Sequence, residues 1–230
     1  ATQRLTGPAA SSAAQVVREL LCVQAQDAPL AQAMIALRAD TTVAAVQQAL
    51  ASGEIVRTHV LRPTWHYVAA DDLQWLLELT SAKVESGMAA RHRQLELSPA
   101  RISAVLDLVA SALAGREFRT RTELGQLLDQ AGLLTPTDPQ FGQQVGHLLL
   151  LAELRGLICS APDARPEHRY ALLDEVIGRV PSLERADAVL ALVGRFVAGH
   201  GPVALSDLQR WARVTLTEAR AALARLGEEV

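Results

Sequence analysis

The chain has 230 residues, of which 50% are hydrophobic and 20% charged, with 14 Gly and 10 Pro, a globular balance that excludes disordered and collagen-like chains. The 2 Cys, Cys22 and Cys159, and the 6 His fall in no metal-ligand spacing and no Gly-rich phosphate loop is present, so neither a disulfide framework nor a zinc centre is expected. A net charge of −3 excludes a broadly basic nucleic-acid binder but says nothing about a local patch.

Aliphatic runs such as Leu148 to Ala152 are too short to cross a bilayer, and the N-terminus has no charged-then-apolar leader. The expectation is a cytoplasmic, reduced protein. Val16, Val17, Leu20, Leu21 and Val23 recur at helical spacing behind a Ser12-x-x-Gln15 capping box. Pro29 pushes Ala28 out of helical geometry, so this helix is predicted to end between Leu21 and Pro29. Thr41 or Thr42 caps a helix over Val43 to Ala51, stopped by Ser52-Gly53. The period then changes: Glu54 to Val60 and Thr64 to Val68 are β-branched and aromatic, joined at Leu61-Arg62-Pro63, and predict a hairpin. Asp71 opens a helix through Thr80.

The same order returns. Thr120-x-x-Glu123 caps a helix over Leu124 to Ala131, Pro136 to Pro139 form a turn, and Phe141 to Arg155 predict a long apolar helix. Leu157 to Ser160 and Arg169 to Leu173 read as paired strands around the polar 162–168 loop. A third copy begins near Gly199 to Pro202. Ser206-x-x-Gln209 caps Asp207 to Ala212, and Thr215-x-x-Glu218 caps Ala219 to Leu226 across an Arg213-Val214 turn. Apolar connecting helices are predicted over Leu76 to Gln94, Pro99 to Ala114 (with Ser98 as N-cap) and Leu183 to Ala198. The expected fold is mainly α with short β-hairpins: tandem winged-helix modules joined by packed helices, over 1–97, 98–180 and a third at 181–230 cut before its hairpin.

Chemistry concentrates in Val23-Gln24-Ala25-Gln26-Asp27. In an extended segment Gln24 and Gln26 project to one side and Ala25 to the other, presenting two carboxamides to one small volume, enough to hold a water. The competing reading is a polar helix end with solvated glutamines. On the hairpin, Thr64 and His66 share a face, on which His66 either touches phosphate or sugar or packs beneath the wing, while His59 lies beside Arg57 on the other strand. Trp65 and Tyr67 alternate toward the core. Lys83, Arg91, His92 and Arg93 are a basic connector, as are Arg116, Arg119 and Arg121, for phosphate contact or simply a solvated helix face. The near-exclusive use of Arg (Lys83 is the one lysine) suits phosphate and guanine edges, as it suits a GC-rich coding sequence. The 3% aromatic content argues against a base-stacking single-strand platform.

Arg4-Leu5-Thr6-Gly7-Pro8, Val16-Val17-Arg18 and Val23-Gln24-Ala25-Gln26-Asp27 resemble the N-terminus of the AlkZ/YcaQ-like winged-helix family. The resemblance continues through Ile55-Val56-Arg57-Thr58, through Arg62-x-Thr64-x-His66-x-Val68-x-x-Asp71-Asp72-Leu73, and through Gly201-Pro202-x-x-Leu205-x-Asp207-Leu208. It implies a bacterial DNA glycosylase that removes N7-alkylated purines or unhooks interstrand crosslinks. It also implies a Gln-Φ-Gln signature, Φ being apolar, here Gln24 and Gln26 as catalytic residues. Arg57, Arg62, Thr64, His66, Lys83, Arg91 and Arg93 are then candidate DNA contacts. The family's C-terminal β-barrel is not expected within these 230 residues, and Pro63 stands where the family commonly has Gly, fixing φ and removing a donor from the turn.

An N7-alkylguanine is already cationic and leaves without a strong general acid, so two non-titrating amide dipoles suffice to steady an oxocarbenium-like sugar and place a water. No metal or organic cofactor is implied. With Lys83 the one lysine and far from the motif, the expected enzyme is monofunctional, without Schiff-base lyase chemistry. The expected partner is double-stranded DNA, alkylated or crosslinked, bound by a monomer. The alternative is a non-catalytic winged-helix DNA-binding protein such as a transcriptional regulator, or a homologue used only as a structural or partner-binding module.

Overall fold

The computed structural model describes residues 3, 5, 6, 8–162, 167–212 and 214–228. The expected Arg4 and Gly7 of the N-terminal motif, the middle of the 162–168 loop and Arg213 lie outside them.

The first unit runs α1 (Ala13–Glu19), β1 (Val23–Gln24), α2 (Ala28–Arg38), α3 (Val43–Ala51), β2 (Ile55–His59) and β3 (Trp65–Ala69). α1 is shorter than its apolar periodicity predicts. Ser12 caps it by accepting the Gln15 N–H, but Gln15 Oε1 turns to Ser11 N instead of closing a box on Ser12. Leu21 then adopts φ 68° with its side chain fully buried. A left-handed leucine costs about 1–2 kcal/mol, comparable to what burial of that side chain returns. The reversal frees Val23 and Gln24 to pair as an edge strand. Pro29 ends nothing further on; it sits in the first turn of α2 behind the Asp27 cap, where a missing N–H is harmless.

The second unit repeats the order: α6 (Pro99–Leu113), β4 (Arg119–Thr120), α7 (Arg121–Gln130), α8 (Phe141–Leu154), β5 (Ile158–Ser160) and β6 (Arg169–Leu172). Thr120 and Glu123 form the reciprocal capping box. Each unit closes an antiparallel three-stranded sheet, ordered β1-β3-β2 and β4-β6-β5, so the hairpin gains a third strand from the segment after the first helix. Helix, edge strand, two helices and hairpin is the winged-helix arrangement, made twice in tandem. The fold is mainly helical, and the described residues form no closed barrel.

Between and after these units lie α4 (Ala70–Gly87), α5 (Ala89–Gln94), α9 (Leu173–Ile177), α10 (Arg185–His200), α11 (Leu205–Ala212) and α12 (Leu216–Glu228). The first connector is broken, since helix-weak Gly87 ends α4 and α5 restarts after Met88. α11 starts at Leu205, not after Ser206: Asp207 Oδ2 accepts the Ala204 N–H. Thr215 and Glu218 cap α12 reciprocally, and it starts at Leu216, earlier than predicted.

One apolar cluster joins Leu21, Val60 and Leu61 to Leu76 and Leu77 of α4, Leu192 and Phe196 of α10, and Leu208 of α11. Arg195 of α10 pairs with buried Asp72 of α4 at 2.5 Å. Gly199 permits a close approach: a Cβ there would meet Glu19 O at 2.9 Å and Leu20 Cα at 3.4 Å. This brings the end of α10 against the end of α1, next to Gln24. Among the described residues no single helix is long and apolar enough to cross a membrane.

Candidate active site

The segment after α1 is extended, and its burial alternates: Val23 buried, Gln24 exposed, Ala25 buried, Gln26 exposed. The two carboxamide-bearing residues therefore lie on one face of the sheet edge. Comparison of the two units shows why this site exists in only one of them. Gln24 pairs with His66 just as Thr120 pairs with Arg169. In the second unit that residue is itself the N-cap of the next helix. In the first, capping passes to Asp27, which leaves Gln24 to Gln26 as a short insertion whose side chains are not used as caps.

On the glutamine face, Arg62 is the central group. Its Nη2 lies 3.5 Å from Gln24 Oε1 and 3.4 Å from His66 Nε2. His66 is buried, and its Nδ1 donates to Thr64 O at 2.9 Å, so Nε2 is the bare nitrogen facing the guanidinium. Burial, then the Arg62 charge, pushes the His66 pKa down to about 4. His66 is thus a neutral imidazole at pH 7 that accepts from Arg62. Thr58 Oγ1, Thr64 Oγ1 and Arg62 Nε are buried on the same side with no hydrogen-bond partner among the described residues. The turn tolerates Pro63 because Arg62 N donates to Val60 O and Thr64 N to Arg62 O, both at 2.7 Å, and Pro63 points to solvent without owing a donor.

Gln24, Arg62 and His66 line a cleft of about 180 Å³ whose other wall is Met34 and Arg38 of α2 with His200 and Trp211 from the α10–α11 corner. Arg38 is nearly buried and spends its guanidinium on the backbone, Nε on Gln3 O and Nη1 on Met34 O, both at 2.9 Å. His200 is tied to Phe196 O at 3.2 Å, stacks on Phe196, and burial lowers its pKa. Burial likewise pushes up the Cys22 thiol in the same wall. The side of α2 facing solvent (Pro29, Leu30, Ala33, Met34, Leu37) is entirely apolar, whereas Gln32 and Arg38 turn inward.

Gln26 sits beside this cleft without lining it: its Oε1 accepts the Trp65 backbone N–H at 2.8 Å. Arg57 projects from the opposite face of the sheet, where both Nε and Nη2 donate to Ala25 O, at 3.0 and 2.9 Å. A larger cleft of about 270 Å³ opens on that face between the two sheets, lined by Arg57, Tyr67 and His168 and touching neither glutamine. The hairpin is anchored there as well. Fully buried Glu153 of α8 accepts from His59 Nδ1 at 2.5 Å and from Trp65 Nε1 at 3.1 Å. Lys83 and Arg93 are exposed, and half-buried Arg91 bonds Gln94 and Gln143. None of these three lines either cleft. The structure therefore gathers Gln24, Gln26, Arg62, Thr64 and His66, sets Arg57 behind them, and keeps the connector cations apart.

Arg38, Glu153, His200 and Trp211 carried no local signal. They reach the site only through contacts between segments distant in sequence.

Two winged-helix units in tandem, with the first modified beside its edge strand, define the class of protein. The chain belongs to the DNA glycosylase AlkZ-like family, whose sequence model matches residues 17–230. It is also similar in fold to the structure of the Streptomyces sahachiroi DNA glycosylase AlkZ, with TM-score 0.82 and 22% identity. The match covers 99% of this chain and 63% of that one, so the chain spans somewhat less than two thirds of that protein's length. No curated protein matches it in sequence.

Proposed function

We propose that the protein is a monofunctional DNA glycosylase acting, as a monomer of the cytoplasm, on duplex DNA. Its reaction is hydrolysis of the N-glycosidic bond of N7-alkylated purines or of crosslinks made through them. The reading rests on one observation above all: Gln24 and Gln26 project from the same face of an extended insertion that the second unit lacks.

An N7-alkylated purine carries its positive charge before the bond breaks, so departure needs no proton donor. The developing sugar cation needs negative potential, and the attacking water needs an acceptor. Each glutamine oxygen already receives one N–H, from Arg62 or from Trp65, and keeps a second lone pair. Gln24 Oε1 faces the cleft and is the group assigned to water and sugar. Gln26 orients the water or the sugar ring with the free end of its carboxamide. Lys83 is the one lysine and lies outside the cleft, which favours hydrolysis over Schiff-base lyase chemistry.

The three modules, 1–97, 98–180 and 181–230, would lie along the duplex. Lys83, Arg91 and Arg93 are assigned to phosphates. Arg62, Thr64 and His66 are assigned to the extruded nucleotide beside the glutamines.

The test is incubation of the full chain with duplexes bearing N7-methylguanine or a crosslink, followed by hot alkali. Strand breaks that disappear with Gln24→Ala or Gln26→Ala support the enzyme. Sequence-specific protection without breaks points instead to a regulator.

A further inference from the structure

The inference concerns Arg57 and rests on the reading of Gln24 and Gln26 as the catalytic pair. In an antiparallel ladder a hydrogen-bonded pair exchanges both N–H···O bonds. Ala25 and Trp65 are such a pair by register, and one bond is made, Ala25 N to Trp65 O at 2.7 Å. The reciprocal bond is replaced. Ala25 O accepts two N–H groups of Arg57, and the Trp65 N–H so released donates to Gln26 Oε1. β1 accordingly stops at Gln24.

A peptide N–H only donates, so the Gln26 carboxamide has one orientation here, oxygen to Trp65 and amino group outward. Arg57 is itself held from behind. Its guanidinium lies 4.2 Å from the Trp65 ring centroid, and that indole is anchored on the Glu153 carboxylate. A half-buried cation stacked on a ring, with both donors on a backbone carbonyl, is arranged to hold a loop rather than to meet a phosphate.

We infer that Arg57 is a positioning residue: by drawing Ala25 O out of the sheet it makes the Trp65 N–H the anchor of Gln26 and sets which end of that amide faces the substrate. Without it, Ala25 O returns to Trp65 N, the strand lengthens, and the Gln26 side chain is released to rotate.

A double-mutant cycle tests this. Single-turnover base release from an N7-methylguanine duplex and the duplex Kd are measured for the wild type, Arg57→Met, Gln26→Ala and the double variant. The Trp65 backbone amide is followed by NMR. Arg57→Met is expected to slow base release about 10²-fold, the scale of a small misplacement of a reacting group, with Kd changed less than about twofold. The double variant is expected to be no slower than Gln26→Ala, because Arg57 acts through Gln26. The Trp65 amide is expected to shift in both single variants.

Multiplicative losses, or an unmoved Trp65 amide in Arg57→Met, would overturn the inference. So would a weaker Kd with a shallower salt dependence, which marks a phosphate contact. If the Met variant does not fold, Arg57→Lys, which keeps the charge and one donor for Ala25 O, is carried through the same cycle with a rate expected below wild type. If Gln26→Ala releases base at the wild-type rate, the catalytic reading fails, while the Trp65 resonance still decides whether Arg57 sets the anchor.

Discussion

His59 Nδ1 bonds Glu153 Oε2 at 2.5 Å in a buried setting, and the other oxygen of the same side chain takes the Trp65 indole N–H at 3.1 Å. The bond crosses between β2 of the first winged helix and α8 of the second. The hairpin bearing Arg57, Arg62 and His66 is thereby pinned to its neighbour by a buried carboxyl group that bonds two of its side chains.

Removing one partner of such a pair strands the other. Glu153→Ala is expected to lower unfolding free energy by about 3–5 kcal/mol in urea titrations. Glu117→Ala, which breaks an exposed pair with Arg119, is expected to cost within about 0.5 kcal/mol. Equal effects would mean that Glu153 bears no special weight.

Acid sensitivity follows from His66. In the unfolded chain an imidazole titrates at 6.5, whereas burial and Arg62 hold this one at about 4 in the fold. Below pH 6.5 the unfolded chain therefore takes up a proton that the folded one refuses. The associated stability is complete above 6.5, drains away as pH falls toward 4, and loses nothing further below that. From pH 7.5 to 5 the loss is about 2 kcal/mol for this residue. His147 and His168, also held at about 4 chiefly by burial, act in the same direction. The stability of wild type relative to His66→Gln, from denaturant curves, should fall by about 2 kcal/mol across this range; parallel curves would contradict the assignment.

The connector cations should behave differently from the site. Lys83→Ala and Arg93→Ala are each expected to weaken duplex binding, and to reduce the slope of log K against log salt by about 0.9, the share of one phosphate contact. Base release at saturating protein should be untouched. Unchanged salt slopes would leave α4 and α5 as a solvated face.

How much of this could be read in advance depends on the range of the interactions. The alternation of Gln24, Ala25 and Gln26 follows from an extended backbone, which the residue types allow but do not distinguish from a polar helix end, whereas the hairpin strands and the caps at Thr42, Thr120 and Thr215 are legible in the sequence. α2 is not, because Pro29 reads equally as a stop and as a first-turn residue, and its solvent side is apolar where a surface helix is ordinarily polar. β1 and β4, each 2 residues long, are too short for any period to register. α1 ends earlier than its periodicity predicts because tertiary burial of Leu21 overrides its backbone preference. That Arg57 takes the face opposite Gln24 follows only from the β1–β3 and β2–β3 registers. That its guanidinium grips Ala25 O requires two segments far apart in sequence to be in register, and Glu153 and Trp211 enter the account in the same way.

In the proposed mechanism two neutral amides perform the glycosidic hydrolysis. Quantifying free 7-methylguanine released from methylated duplex under single-turnover conditions tests it most directly. Release is expected well above the spontaneous rate, with a loss of about 10²-fold or more in Gln24→Ala at unchanged duplex affinity. The rate is expected to be level between pH 6 and 8, where neither amide titrates. Release no faster than from DNA alone, or a Gln24→Ala variant as active as the wild type, would contradict it.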